Sequence, residues 1–415
     1  MTSSTASLAK LQTRTQQVSN WLISYILPLG WMAILSGMFW IGERPYYHKL
    51  FYATLALPTL LVIALQPSTL KQLLQQPLIK LFLLFAAYIT LSVLWAGTDE
   101  TPLSSVKRPL YLFMLLSAAC LISLKQPDRL ERSTEIAALL AVLCSAGSLA
   151  YFFYQGAEGR LSGYGALYNP LLSAHVFGFF CAYWLSRWYL ADRVTTLLPL
   201  AALALLWTLL IYTGSRTPLV ALSACVAWLA ICRWRLRIWL LIVAAIGLAL
   251  AAQLLLTLAS EPQAQVDNLL TRGLSFRPAI WQEALRQMQD SPWFGLGYSH
   301  PQIFHVEGLD YGLADTHNIE LSVLFCGGIV GLALWLMMYA YAMGYAWQQR
   351  KHPAVLIAST LVVFGFVAGL TEGSAFFSRP KEQWFLIWIP LALLAATRLN
   401  LKSPAEAHNG HAKKA

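Results

Sequence analysis

Four arginines and one histidine stand at the edges of long apolar runs, where ionisable side chains are costly and tend to serve function. Arg216 lies in Tyr212-Thr213-Gly214-Ser215-Arg216-Thr217-Pro218, a tight turn between two apolar stretches. Pro218 suits the first turn of the helix that follows. Small and hydroxyl residues flank Arg216, Ser215 among them, and leave room for an anion. Arg277 precedes Pro278, at the start of an amphipathic stretch. A helix N-terminus attracts anions through its free N–H groups and its dipole. A guanidinium there adds a two-pronged fork for phosphate. Arg160 follows another apolar run and Arg379 precedes the last one, with Lys107, Arg108 and Lys381 as further cations nearby. His317 and Asn318 open a run in Asp315-Thr316-His317-Asn318-Ile319-Glu320. A histidine at a helix start and a membrane boundary can take a proton from a bound hydroxyl. Each residue also has a plainer reading: an arginine that snorkels to lipid headgroups, or a histidine that caps a helix.

Other chemistries have little support. There is no Asp-x-Asp and no His-Glu-x-x-His, so no metal site is expected; Asp99-Glu100, in the outer loop after the third span, is the only adjacent acid pair. Gly295-Leu296-Gly297 lacks the strand-to-helix context of a nucleotide loop. No cofactor is implied. Cys120, Cys144, Cys181, Cys225, Cys232 and Cys326 form no Cys-x-x-Cys pair, and most sit in apolar runs. They read as small buried hydrophobes.

The elements that must carry these residues are membrane helices. Of 415 residues, 58% are hydrophobic and 12% charged, whereas soluble domains are about a quarter charged. Apolar runs long enough for a bilayer recur near 21–41, 49–65, 78–96, 107–124, 136–154, 170–190, 194–213, 217–232, 236–258, 318–345, 354–371 and 382–398. The expectation is an all-α polytopic membrane protein with about 12 transmembrane helices and both termini cytoplasmic. Its parts are a cytoplasmic N-terminal segment (1–20), helices one to nine (21–258), a large periplasmic loop (259–316), helices ten to twelve (317–400) and a polar, disordered cytoplasmic tail (401–415). The first 20 residues do not read as a cleavable signal peptide. In this topology 18 of the 29 Lys and Arg face the cytoplasm, against 5 of the 19 acids. That asymmetry is the orientation signal of a membrane protein. The net charge of +10 therefore reflects topology and not nucleic-acid binding. The large loop holds two helical stretches, Val266 to Arg272 and Pro278 to Gln289. The second is amphipathic, with Ile280, Trp281, Ala284, Leu285 and Met288 on one face. Gly327 and Gly331 form a Gly-x-x-x-Gly, read as close helix packing. No internal repeat of the transporter kind is visible.

The order of these pieces resembles the bacterial O-antigen ligase family, within a superfamily that includes O-antigen polymerases and pilin-type O-oligosaccharyltransferases. Gly214-Ser215-Arg216-Thr217, Arg277 with Trp281 and Ala284, Pro292-Trp293-Phe294-Gly295-Leu296-Gly297, His317-Asn318 and Gly327-Gly328 carry the resemblance. It implies a GT-C-like membrane fold. It also implies a metal-independent, inverting glycosyl transfer at the periplasmic face of the inner membrane. The donor would be undecaprenyl-diphosphate-linked O-antigen and the acceptor the lipid A-core oligosaccharide. His317 matches the family's proposed base, and Arg216 and Arg277 its diphosphate-binding arginines. Arg160 is added from topology, and Asn318 and Ser215 are supporting residues. Polymerase and protein O-oligosaccharyltransferase are alternatives in the same class. A lipid-linked glycan transporter is the alternative of another class, but the candidate ligand groups cluster on one side and few charges lie inside the spans.

Overall fold

The computed structural model describes residues 13–157, 159–193, 195–233, 276–306 and 311–409. Among these, helices dominate. The main ones are α1 (Thr13–Gly37), α2 (Arg44–Leu65), α3 (Pro77–Trp95), α4 (Pro102–Lys125) and α5 (Pro127–Tyr154). Then come α6 (Pro170–Leu190), α7 (Leu197–Thr213), α8 (Thr217–Cys232) and α9 (Arg277–Gln287). The chain ends with α10 (Ile319–Gln348), α11 (Pro353–Gly369) and α12 (Trp388–Asn409). Proline opens α3, α4, α5, α6 and α11, where its missing N–H costs nothing and its fixed φ suits a helix.

Helices therefore stand at eleven of the twelve expected spans; the ninth, 236–258, and the stretch Val266 to Arg272 lie outside the described residues. Among the described helices, six are long and apolar enough to cross a membrane: α1 to α5 and α10. The count of twelve also leans on α7, α8 and α11, which have 17, 16 and 17 residues. Such helices are about 25 Å long, short of the roughly 30 Å hydrocarbon core. The chain is a multi-pass membrane protein. One detail departs from the all-α reading and one from the reading of the tail. Ile303–Phe304 (β1) and Leu313–Ala314 (β2) pair antiparallel within the large loop. The helix of α12 also continues to Asn409, into the segment read as a disordered tail; Ala405, Glu406 and Ala407 are strong helix formers.

At the centre stands α6, buried without a break from Ser173 to Ser186. A helix apolar all round belongs inside a bundle. It packs against α7, α8 and α11, while α12 lies on α4, α1 on α5 and α3 on α10. Indole donors join neighbours: Trp31 Nε1 to Thr134 Oγ1 at 3.0 Å and Trp228 Nε1 to Ser359 Oγ at 3.0 Å. The cysteines are free, and all but Cys144 are buried.

The main surprise is in α10. Gly328 adopts φ 62° and ψ −164°, which breaks the helix. The segment Pro292–Gly297 fills the break with main-chain hydrogen bonds. Leu296 N donates to Phe325 O (2.8 Å) and Gly297 N to Cys326 O (2.9 Å). In return Ile329 N donates to Pro292 O (2.9 Å) and Val330 N to Trp293 O (3.1 Å). Tyr88 Oη takes the freed Gly327 carbonyl at 2.6 Å. Backbone groups at membrane depth need such partners. Gly327 and Gly331 do face Tyr88 and Ile89 of α3, as the Gly-x-x-x-Gly reading expects. Gly328 has the separate task of making the break, and a Cβ there would lie 2.4 Å from the Trp293 carbonyl. Gly328→Ala should therefore lower stability by about 2 kcal/mol or more, read as a fall in the unfolding midpoint of the detergent-solubilised protein. Gly344→Ala, where a Cβ meets nothing within 4 Å, should leave the midpoint in place or raise it.

Candidate active site

The turn after α7 follows from its sequence. Gly214 takes the left-handed conformation (φ 62°, ψ 20°) that ends helices. Arg216 then caps α8, with Pro218 in its first turn. Ser215 is buried and the Arg216 side chain is exposed. Arg160 comes to the same turn: its Nε donates to Thr213 O at 2.6 Å. Leu161 N donates to Tyr212 O at 3.0 Å and holds the Arg160 segment there. Ser215 N donates to Thr213 Oγ1 at 3.3 Å. One pair links this turn to the segment after α11, Thr217 Oγ1 to Thr371 Oγ1 at 3.0 Å.

The next residue, Glu372, is 3% exposed. Its carboxylate accepts a hydrogen bond from Arg277 Nη2, and its Oε2 lies 3.8 Å from His317 Nδ1. Burial pushes the Glu372 carboxyl above the usual carboxylate range, while Arg277 and His317 pull it back. Arg277 is the first residue of α9. Ile280 and Ala284 bury one face of that helix, as the amphipathic pattern predicts, and Met288 just beyond it is buried too. Leu285, read onto the same face, is exposed instead. Trp281 Nε1 donates to Thr316 O at 2.9 Å and ties α9 to the chain just before His317.

His317 itself is held by its backbone. It sits at φ 49°, with its N–H donating to Asp315 Oδ1 at 2.8 Å. Asp315 is also left-handed, at φ 92°. Asn318 caps α10 through Oδ1, which accepts from Leu321 N at 2.8 Å. Thr316 Oγ1 donates to Asn318 O at 2.8 Å. Asn318 thus positions its neighbour and starts the helix at once.

Arg277 and His317 therefore meet at one carboxylate, and Arg160, Ser215 and Arg216 share a turn joined to the same segment. Sequence reasoning missed Glu372. The available sign was a lone acid, in Leu370-Thr371-Glu372-Gly373-Ser374, between two apolar runs. The other cations form no ion pair with Glu372 among the described residues. Arg108 Nη1 donates to Tyr298 Oη at 2.9 Å, Arg44 pairs with Glu382, and Arg379 is exposed. Burial lowers the Lys381 pKa, which Glu382 and Asp315 oppose. Asp99 and Glu100 line a cavity of about 420 Å³ with Ser104, Ser105 and Arg108. Chemically, the arrangement sets one guanidinium beside one imidazole at a buried carboxylate, with Arg160 and Arg216 at a turn bonded to the same segment.

Known proteins carry the same stretch. A family model described as O-Antigen ligase matches residues 201–336, which hold Arg216, Arg277 and His317. An O-antigen ligase of Pseudomonas aeruginosa is 50% identical over 390 residues, covering 94% of this chain and 94% of that protein. Similarity of that depth spans the helical frame as well as the residues gathered around Glu372, and this chain belongs to the O-antigen ligase family.

Proposed function

We propose that this protein transfers an O-antigen glycan from undecaprenyl diphosphate to the lipid A-core oligosaccharide, at the periplasmic face of the inner membrane. The observation that carries the reading is the Glu372 carboxylate, which brings the Arg277 guanidinium beside the His317 ring. The excess of Lys and Arg in the segments assigned to the cytoplasm supports the orientation. The periplasmic loop is read as residues 259–316, with Glu372 contributed from outside it.

His317 acts as the general base. It takes the proton of the acceptor hydroxyl as that oxygen attacks the anomeric carbon of the donor sugar. The bond from that carbon to the phosphate oxygen breaks, and its electron pair leaves with the lipid diphosphate. Attack opposite the leaving group inverts the anomeric centre. Arg216, Arg277 and Arg160 bind the diphosphate and face the charge that grows on it. One edge of the Arg277 guanidinium meets Glu372; its remaining N–H groups serve the phosphate. Glu372 orients both Arg277 and His317, as a buried carboxylate orients a catalytic histidine elsewhere.

The decisive test mixes purified protein with undecaprenyl-diphosphate-linked O-antigen and rough lipopolysaccharide, in EDTA. Laddered lipopolysaccharide is expected. Lengthening of the lipid-linked glycan without a ladder would make the protein a polymerase, and no product would sink the transfer reading. His317→Ala should cut transfer about 10²–10⁴-fold and leave donor binding intact. Arg216→Ala and Arg277→Ala should instead weaken donor binding, measured by titration with undecaprenyl diphosphate; unchanged affinity in both removes the anion site.

Glu372→Gln should lower kcat/KM by about 10- to 100-fold at neutral pH, a loss matching one or two weakened charge contacts. The pH dependence has a definite sign. The folded Glu372 pKa lies above its unfolded value, so protonation favours the folded state. Its contribution to stability grows as pH falls through the folded pKa, while the pairing with Arg277 is lost. Activity should therefore decline on acidification above the range of an ordinary glutamate, before any fall in the unfolding midpoint. A rate and a midpoint that fall together would refute this.

A further inference from the structure

One buried histidine stands apart from the chemistry above. His175, in α6, is 1% exposed, and its Nε2 has no hydrogen-bond partner. Buried polar atoms are nearly always bonded, and each exception calls for an explanation. Its surroundings supply one. The Arg277 guanidinium is close enough to act electrostatically on the His175 ring. Three residues on, a Cβ at Gly178 would touch Phe364 of α11 and lie 3.1 Å from Pro218 Cβ. Residues three apart share a helix face. The His175 face of α6 therefore looks toward the first turn of α8, just after Arg216. His175 is thus within electrostatic reach of Arg277, lies on the α6 face turned toward the start of α8, and is far more buried than His317, whose side chain is 36% exposed.

We propose that His175 donates a hydrogen bond from Nε2–H to the diphosphate of the lipid donor, as an uncharged group on the floor of the site. This rests on the transfer reaction above and adds a residue to it. In the ground state the contact joins the cations in binding the diphosphate. When the anomeric C–O bond breaks, the electron pair goes to the phosphate oxygen and the N–H faces that added charge. His175 moves no proton; the acceptor's proton goes to His317. The ligand it recognises is a phosphate oxygen of a prenyl diphosphate.

Three variants of the full-length protein test the assignment. His175→Phe keeps the ring volume and removes the donor. His175→Gln puts an amide N–H near the place of Nε2. His175→Leu checks that the effect is not peculiar to an aromatic ring. Donor kcat/KM should fall about 10- to 100-fold in His175→Phe and His175→Leu, as for loss of a hydrogen bond to a charged group. It should recover to within a few-fold of wild type in His175→Gln. Titration with undecaprenyl diphosphate should follow the same order. The unfolding midpoint without donor should hold or rise in His175→Phe, because no folded-state partner is lost. Wild-type kcat/KM in His175→Phe would overturn the proposal. So would a loss shared by all three variants together with a lowered midpoint, the mark of a packing role. Failure of the transfer reading would show differently, as a wild-type protein that makes no ladder.

Discussion

A carboxylate taken out of water beside a bilayer costs several kcal/mol unless cations face it. Glu372 meets that condition through Arg277, with His317 close by. The three groups come from the start of α9, the approach to α10 and the segment after α11. Arg277 and Glu372 are 95 residues apart in sequence. Their ion pair therefore fixes where α9 docks, and with it the free edge of a guanidinium. Removing one partner of such a pair leaves the other charge buried and unpaired, which is worse than never having had the pair.

The second constraint is backbone satisfaction. A helix inside a membrane meets its own hydrogen bonds, and a broken one must borrow partners. The break at Gly328 borrows them from Pro292–Gly297, and Tyr88 adds a side-chain donor. This turns a loop into a structural part of the bundle. The half of α10 before the break is fixed at one end by that loop and at the other by the Asn318 cap. Gln302 Nε2 adds a bond to Ser322 Oγ at 2.9 Å along its side. His317 precedes this short, held segment, so its position follows from hydrogen bonds to the backbone on both sides of it.

How much of this was legible in the sequence depended on how local each feature is. The helical runs, the Pro218 start and the Gly214 turn follow from residues within one or two helical turns, and they read directly. The α9 helix read well for the same reason, with its boundary off by a residue or two. Arg216, Arg277 and His317 could be singled out because charge beside an apolar run is conspicuous. Their relation could not. It depends on Glu372, a single acid whose partner lies in another element, and no periodicity marks such a pair. The break at Gly328 went unread for a related reason. A glycine that lets helices approach and a glycine that breaks one look alike in sequence, and only the docked loop tells them apart. His175 gave no sign at all, since a lone histidine within an apolar run usually means a satisfied core residue.

Backbone strain at His317 completes the logic. Non-glycine residues in the left-handed region cost about 1–3 kcal/mol each and persist only where surroundings over-determine them. Asp315 and His317 both sit there, two residues apart. Their surroundings are unusually rich in bonds. The Asp315 side chain holds the His317 N–H, Trp281 holds the Thr316 carbonyl, and the Thr316 hydroxyl holds the Asn318 carbonyl. A helix begun one residue earlier would relax the strain and turn the imidazole away from Glu372. The same bonds that tie α9 down also prevent that relaxation. The proposed anion-binding cation and the proposed base are thus set by one network, and a ligand that drew on Arg277 would meet a histidine already held in place.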